Sequence, residues 1–168
     1  MTNGLQRLNT MTEEEGEEAL LSCCGSKNWA RRLIELRPFG DEQALVQSSD
    51  AVWGELEEGD WLEAFSHHPK IGEKKAAKAA SAQAQRWSER EQAGEENPQT
   101  LAALQEANRE YEGRFGYIFM VCATGKSKEE MLAILRERLQ NDPGTEIQAA
   151  AEEQRKITNL RLEKLLQS

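Results

Sequence analysis

The sequence predicts an all-α fold: a single-domain bundle of about seven to nine helices, with one extended apolar segment near residues 115–123. Three observations lead there. First, a capping residue followed three places later by Glu or Gln recurs at Thr12–Glu15, Asp60–Glu63, Ser88–Glu91, Ser127–Glu130 and Thr145–Gln148. Such a pair satisfies amide groups that a helix N-terminus otherwise leaves unbonded. Second, apolar residues between these points repeat at steps of three and four, the period of one helix face. Third, only Arg114–Ala123 is strand-like in composition, so it has no obvious partner with which to build a sheet.

Taken in order, Thr12 and Glu15 open a short helix that ends near Cys23-Cys24, with Gly25 as its stop. Ser26 caps a second helix, whose Trp29 and Leu33 share a face before Arg37-Pro38 ends it. Asp41 starts a third; Leu45, Val52 and Leu56 line its buried side with Trp53 beside them, and Gly59 closes it. The helix after that opens on Asp60 and Glu63 and is stopped by Pro69, which biases the preceding residue out of the helical region. Trp61, Phe65 and His68 lie on one of its stripes, with His68 at its last or near-last position. His67 points about 100° away and reads as solvated.

From Lys74 to Ala84 alanine and lysine dominate, which gives helix propensity but almost no apolar face. That run reads as mobile or solvent-covered. Pro98-Gln99-Thr100 opens a long helix with Leu101, Leu104, Asn108, Tyr111 and Phe115 near one stripe. Beyond the extended segment, Ser127 and Glu130 cap a helix carrying Met131, Ile134, Leu135 and Leu139, which Asn141-Asp142-Pro143-Gly144 ends. The last helix starts at Thr145 with Gln148. On it Ile147, Ala150, Gln154, Ile157, Arg161 and Lys164 recur at alternating steps of three and four.

Composition narrows the functions available. A chain of 168 residues is long enough for one domain with a real core. Its 38% hydrophobic and 30% charged content suits helices with wet outer faces. A net charge of −9 argues against a nucleic-acid surface, and any site for an anion needs local positive charge. Neighbouring Cys23 and Cys24, with Cys122 far off, suggest neither a disulfide framework nor zinc spacing, so a reducing compartment is expected. No apolar run approaches the roughly 20 residues needed to span a membrane. The N-terminus lacks a signal-peptide core and the chain does not end in Ser-Lys-Leu, so a cytoplasmic location is expected.

Four places carry candidate chemistry. A histidine at a helix C-terminus feels the negative end of the helix dipole, which favours the imidazolium form; His68 could therefore hold a proton near neutral pH and release it. From position alone the plainer reading, that His68 caps the helix end and packs on Phe65, is the favoured one. Ser88, Glu91 and Gln92 sit at i, i+3 and i+4, on one side of a helix; a capping box explains the first two but gives no reason for Gln92. The buried backbone of 119–123 must bond to helix ends, side chains or a polar ligand. Arg161 lies within an apolar seam, where an arginine either meets an anion or acceptor or lays its stem along the seam and reaches water.

These elements together resemble a known family. His68-Pro69-Lys70-Ile71-Gly72 is similar to the HPxIG-type signature of the 2-oxo-4-hydroxy-4-carboxy-5-ureidoimidazoline (OHCU) decarboxylases. These helical enzymes of purine catabolism turn the hydrated, hydrolysed product of urate oxidation into (S)-allantoin. Ser88, Glu91 and Gln92 match the family's Ser-x-x-Glu-Gln motif, and Lys156-Ile157 with Arg161-Leu162 match its Lys-Ile-x-x-x-Arg-Leu element. Phe115-Gly116 with Phe119 resembles its Phe-Gly-x-x-Phe segment, although Ile118 stands where the family often has proline. Four separated motifs occur in the family's order, over nearly the whole chain.

The resemblance implies a cofactor-free carboxy-lyase spanning residues 1–168, with no metal and without the hydroxyisourate hydrolase module that is fused to this enzyme in some plants. It implies His68, Glu91 and Arg161 as catalytic residues. Pro69, Ser88, Gln92 and the segment Phe119, Met120, Val121, Cys122 and Ala123 complete the pocket for the ureidoimidazoline. Homodimers are usual in the family, so a homodimer is expected, with neither nucleic acid nor membrane as partner. Two other readings remain open at this point. One is a non-enzymatic helical module that binds a basic partner through its acidic faces. The other is a thiol enzyme pairing Cys122 with His68, which needs a reactive thiolate, whereas Met120, Val121 and Ala123 suggest an inert, buried cysteine.

Overall fold

Every helix leaves the amide groups of its first turn without intrahelical partners, and at several helices this chain caps them as its sequence predicts. The structure, a computed structural model, describes residues 3–68 and 97–167. Thr12 Oγ1 accepts the Glu15 amide at 3.1 Å while Glu15 Oε1 accepts the Thr12 amide at 3.1 Å. Ser127 and Glu130 make the same reciprocal pair. Ser26 Oγ accepts from Trp29 at 3.2 Å and Asp41 Oδ1 from Ala44 at 2.7 Å. Asn97 caps the helix that opens on Pro98, where a missing N–H removes nothing.

The described residues form eight helices: α1 (Asn3–Thr10), α2 (Glu13–Leu21), α3 (Lys27–Glu35), α4 (Glu42–Glu55), α5 (Glu58–Ser66), α6 (Pro98–Phe115), α7 (Lys128–Arg138) and α8 (Pro143–Gln167). The fold is all-α, as expected. The run 74–84, with Pro69, Ser88, Glu91 and Gln92, lies outside the described residues.

Four local expectations are corrected. Helix α1 was not anticipated, because its eight residues carry no cap signal and only Leu5 and Leu8 mark its buried side. Gly59 does not close α4; it falls inside α5. Asp60 and Glu63 do not open α5. Asp60 reaches back to the Glu57 amide at 3.4 Å and accepts from Asn28 Nδ2 at 2.7 Å, while Glu63 Oε1 accepts the Lys27 amide at 3.0 Å. Both carboxylates thus serve the start of α3, and Asp60 serves the start of its own helix as well. Finally, α8 starts at Pro143 rather than Thr145, because Asp142 accepts both the amide and the hydroxyl of Thr145, at 3.1 and 2.7 Å.

The chain divides into two compact units, residues 1–64 with 155–168, and residues 65–154. In the first unit two buried indoles are hydrogen-bonded: Trp29 Nε1 donates to Ser49 Oγ at 3.1 Å and Trp61 Nε1 to the Trp53 carbonyl at 3.0 Å. Here Gly4 lies so close to the end of α8 that a Cβ would sit 2.0 Å from the Leu166 carbonyl oxygen. Gly4→Ala must push α1 off α8, and overpacking of this kind costs about 1–3 kcal/mol. A lower denaturant midpoint checks it; an unchanged midpoint would show that α1 adds no stability.

The second unit is built on α6, α7 and the first half of α8. Gly116, with φ 85°, ends α6 in the left-handed conformation that glycine adopts freely. From 118 to 123, the stretch that the sequence predicts as extended, the chain is in neither helix nor strand. Phe119, Val121 and Ala123 enter an apolar cluster with Leu104, Tyr111, Met131 and Leu135. Side chains take the place of a sheet: Arg138 Nη1 donates to the Met120 carbonyl, Glu153 Oε1 accepts the Cys122 amide at 2.9 Å, and Lys126 Nζ donates to the Cys122 carbonyl at 2.8 Å.

Arg138 is itself fixed. Its Nε donates to Glu146 Oε2 at 2.8 Å, its Nη2 to the same oxygen, and its guanidinium carbon lies 4.7 Å from the centre of the Phe119 ring. Glu146, with no exposed surface, also accepts from Tyr111 Oη, and from Asn141 Nδ2 at 3.0 Å. Burial, and then the bond to Glu146, push the Tyr111 phenol far above its ordinary value, so it remains a donor. One carboxylate therefore ties α6, α7 and α8 to the extended segment.

Candidate active site

Helix α5 stops at Ser66, and the His68 amide still reaches back to the Phe65 carbonyl at 3.2 Å. Trp61, Phe65 and His68 are all buried, as one stripe requires, while His67 is partly exposed. His68 is 8% exposed, and its ring Nε2 lies 2.7 Å from Oε1 of Gln154, which is wholly buried on α8. The sequence places Gln154 on the right stripe but assigns it no task; its partner is 86 residues away.

The preceding residue, Glu153, holds the Cys122 amide. Two successive side chains of α8 thus hold both predicted pieces of the site in this unit, the imidazole and the extended segment. Phe119 to Ala123 are all buried. The Cys122 amide is already engaged by Glu153, so that N–H is not among the donors open to a ligand. Cys122 is buried and its thiol is in no disulfide, in keeping with a packing role. Glu153, Lys126, Arg138 and Glu146 had no signal in the sequence, since helical period says nothing about which distant backbone a charged side chain will meet.

Arg161 belongs to the first unit and is 3% exposed, which removes the alternative in which its head reaches water. Cys23 and Cys24 lie within its electrostatic reach. Burial pushes the Cys24 thiol up to about 12, against hydrogen bonds at Ser26 and Thr158 and the Arg161 charge; burial raises Cys23 too. Near neutral pH both thiols are protonated and neither supplies an anion to Arg161. A groove of about 590 Å³ in this unit, with Val46, Leu160, Leu166, Arg155 and Lys156 among its lining, contains none of the predicted site residues. Among the described residues no group of three or more His, Cys, Asp or Glu could hold a metal ion, and no helix is long and apolar enough to cross a membrane.

The protein that fold and site describe is an all-helical domain with a buried, hydrogen-bonded histidine and a side-chain-tethered extended segment. The family profile of OHCU decarboxylase matches residues 9–163. The Arabidopsis thaliana uric acid degradation bifunctional protein TTL is 39% identical over 158 residues, covering 92% of this chain and 48% of that protein. An OHCU decarboxylase of Haloferax volcanii is 24% identical over 159 residues, 94% of this chain and 93% of its own. A crystal structure of OHCU decarboxylase in the presence of (S)-allantoin superposes with a TM-score of 0.77 at 33% identity, covering 94% of this chain and 100% of the other. This chain spans about half the length of the Arabidopsis relative and 32% of a bifunctional relative from Bacillus sp. TB-90. The chain belongs to the OHCU decarboxylase family.

Proposed function

We propose that this protein decarboxylates OHCU to (S)-allantoin, with His68 delivering a proton to one face of the ring carbon. The observation that carries this reading is the buried His68 imidazole, held through Nε2 at 2.7 Å by Gln154 in a member of this family. A general acid must be fixed in direction and sheltered from bulk water, and such an imidazole meets both needs. In the reaction the bond from the ring carbon to the carboxylate breaks, carbon dioxide leaves, and the electron pair stays on the carbon, delocalised as an enolate. Hydrogen-bond donors hold that charge. Arg161 and backbone amides of 119–123 other than that of Cys122 are the donors we assign. His68 then protonates the carbon and is recharged from solvent, and one-sided delivery sets the (S) configuration.

We assign Pro69 to substrate binding, Glu91 and Gln92 to orienting the ureido and hydroxyl groups, and Ser88 to assisting them. The protein acts without metal or cofactor, as a cytoplasmic homodimer, with 1–168 working as one OHCU decarboxylase-like domain; the family match from 9 to 163, which runs through both units, supports that last assignment. An acidic interaction module gives no reason to bury His68, Gln154 and Arg161. The test is to generate the substrate in situ from urate, with no added metal, and to follow allantoin by circular dichroism. Optically active allantoin should form faster than in the spontaneous reaction. Racemic product at the uncatalysed rate would reject the reading, and activity lost to a chelator and restored by a divalent ion would reject its cofactor-free form.

A further inference from the structure

We infer that Gln154 is a positioning residue for His68: it fixes hydrogen on Nε2 and thereby makes Nδ1 the nitrogen that hands over the proton. The first step is inventory. A side-chain amide oxygen can only accept, so at 2.7 Å from Gln154 Oε1 the ring nitrogen Nε2 must be an N–H donor. Gln154 is wholly buried, where a polar group without a hydrogen bond is costly, so the bond persists in both charge states of the ring. The doubly protonated ring can lose a proton from Nδ1 and keep the bond, or from Nε2 and break it. The first course is favoured, and it leaves the neutral Nε2–H tautomer.

The same bond sets direction. His68 lies just beyond the end of α5, and Gln154 stands on α8, a 25-residue helix. A long helix is a stiff anchor for the bond that sets the ring's direction. A neutral amide also orients the ring without adding an anion, which would strengthen the hold on the proton to be given away. This inference rests on the proposed role of His68, and its test separates the two.

The parent chain, labelled with ¹⁵N-histidine, is titrated by NMR. There are two histidines, and His67→Asn assigns the His68 signals. Neutral His68 should show the Nε2–H tautomer, whether or not the protein turns over. Gln154→Met, of similar length but without an acceptor, should give a mixture of tautomers. It should also lower kcat by roughly 10–100-fold, the usual cost of losing a partner that orients a functional histidine, with KM within about threefold. The enantiomeric excess of the allantoin should fall with it, because a misdirected ring competes poorly with water for the carbanion. Gln154→Glu restores an acceptor and should restore the single tautomer and the enantiomeric excess.

An Nδ1–H tautomer in the parent overturns the inference. So does a Gln154→Met variant with parental kcat and enantiomeric excess, or equal losses in the Met and Glu variants that track their melting temperatures. Failure of the decarboxylase reading looks different: the parent makes no optically active allantoin while its tautomer spectrum is as described.

Discussion

His68→Asn lowers turnover by about 10²–10⁴-fold, the usual contribution of a general acid, while His67→Asn stays within a few-fold, as expected of a partly exposed residue without a role. The contrast is worth more than either number, because the two side chains are adjacent and share a peptide. They differ in burial: His68 is 8% exposed and bonded to Gln154, and His67 is partly exposed. Asparagine is too short to replace the ring nitrogen, so the Gln154 oxygen loses its partner, at a cost of about 1–3 kcal/mol. At roughly 2–4 °C per kcal/mol for a chain of this size, the melt moves by several degrees, and rates should be compared well below it. Initial rates on substrate generated in situ, with melts of both variants, decide the matter. Small and equal effects of the two substitutions would remove His68 from the reaction.

The largest expected loss of stability comes from Glu146→Ala. The carboxylate is wholly buried and receives Tyr111, Asn141 and two donors of Arg138. Deleting it leaves a guanidinium, 8% exposed as a residue, without its counter-charge. Breaking one side of a buried ion pair costs about 3–5 kcal/mol, a fall in Tm of very roughly 10 °C or more. Replacing both partners, as Arg138→Met with Glu146→Leu, should recover part of that, because no charge is then stranded. Arg109→Ala is the control: its pair with Glu106 is 66% and 61% exposed, and screening leaves such pairs little effect. Thermal melts of the four proteins check this. A Glu146→Ala melt that moves no further than that of Arg109→Ala would show that the buried pair holds nothing together.

The sequence by itself determined what depends on neighbours within about four residues. Thr12, Ser26, Asp41 and Ser127 cap the helices they should, because the side-chain oxygen and the amide it meets lie three residues apart. The stripe on α8 was legible as well: Ile147, Ala150, Gln154, Ile157 and Arg161 are all buried, and Lys164 at its end is partly so. So was the family, since its motifs are short and their order is preserved.

The tertiary structure decided what depends on partners far along the chain. Asp60 and Glu63 have the spacing of a cap, yet Asn28 and the Lys27 amide, 32 and 36 residues away, claim their oxygens. Spacing put Arg161 on an apolar seam but left its head free to reach water, and only the packing around it settled that it is buried. The composition of 118–123 showed a backbone in need of partners; Arg138, Lys126 and Glu153 proved to be those partners. Gln154 is the clearest case. Period made it a core position, and only the return of α8 past the end of α5 makes it the acceptor that holds His68. A hydrogen bond acts over about 3 Å, and distance along a sequence says nothing about which polar groups come that close.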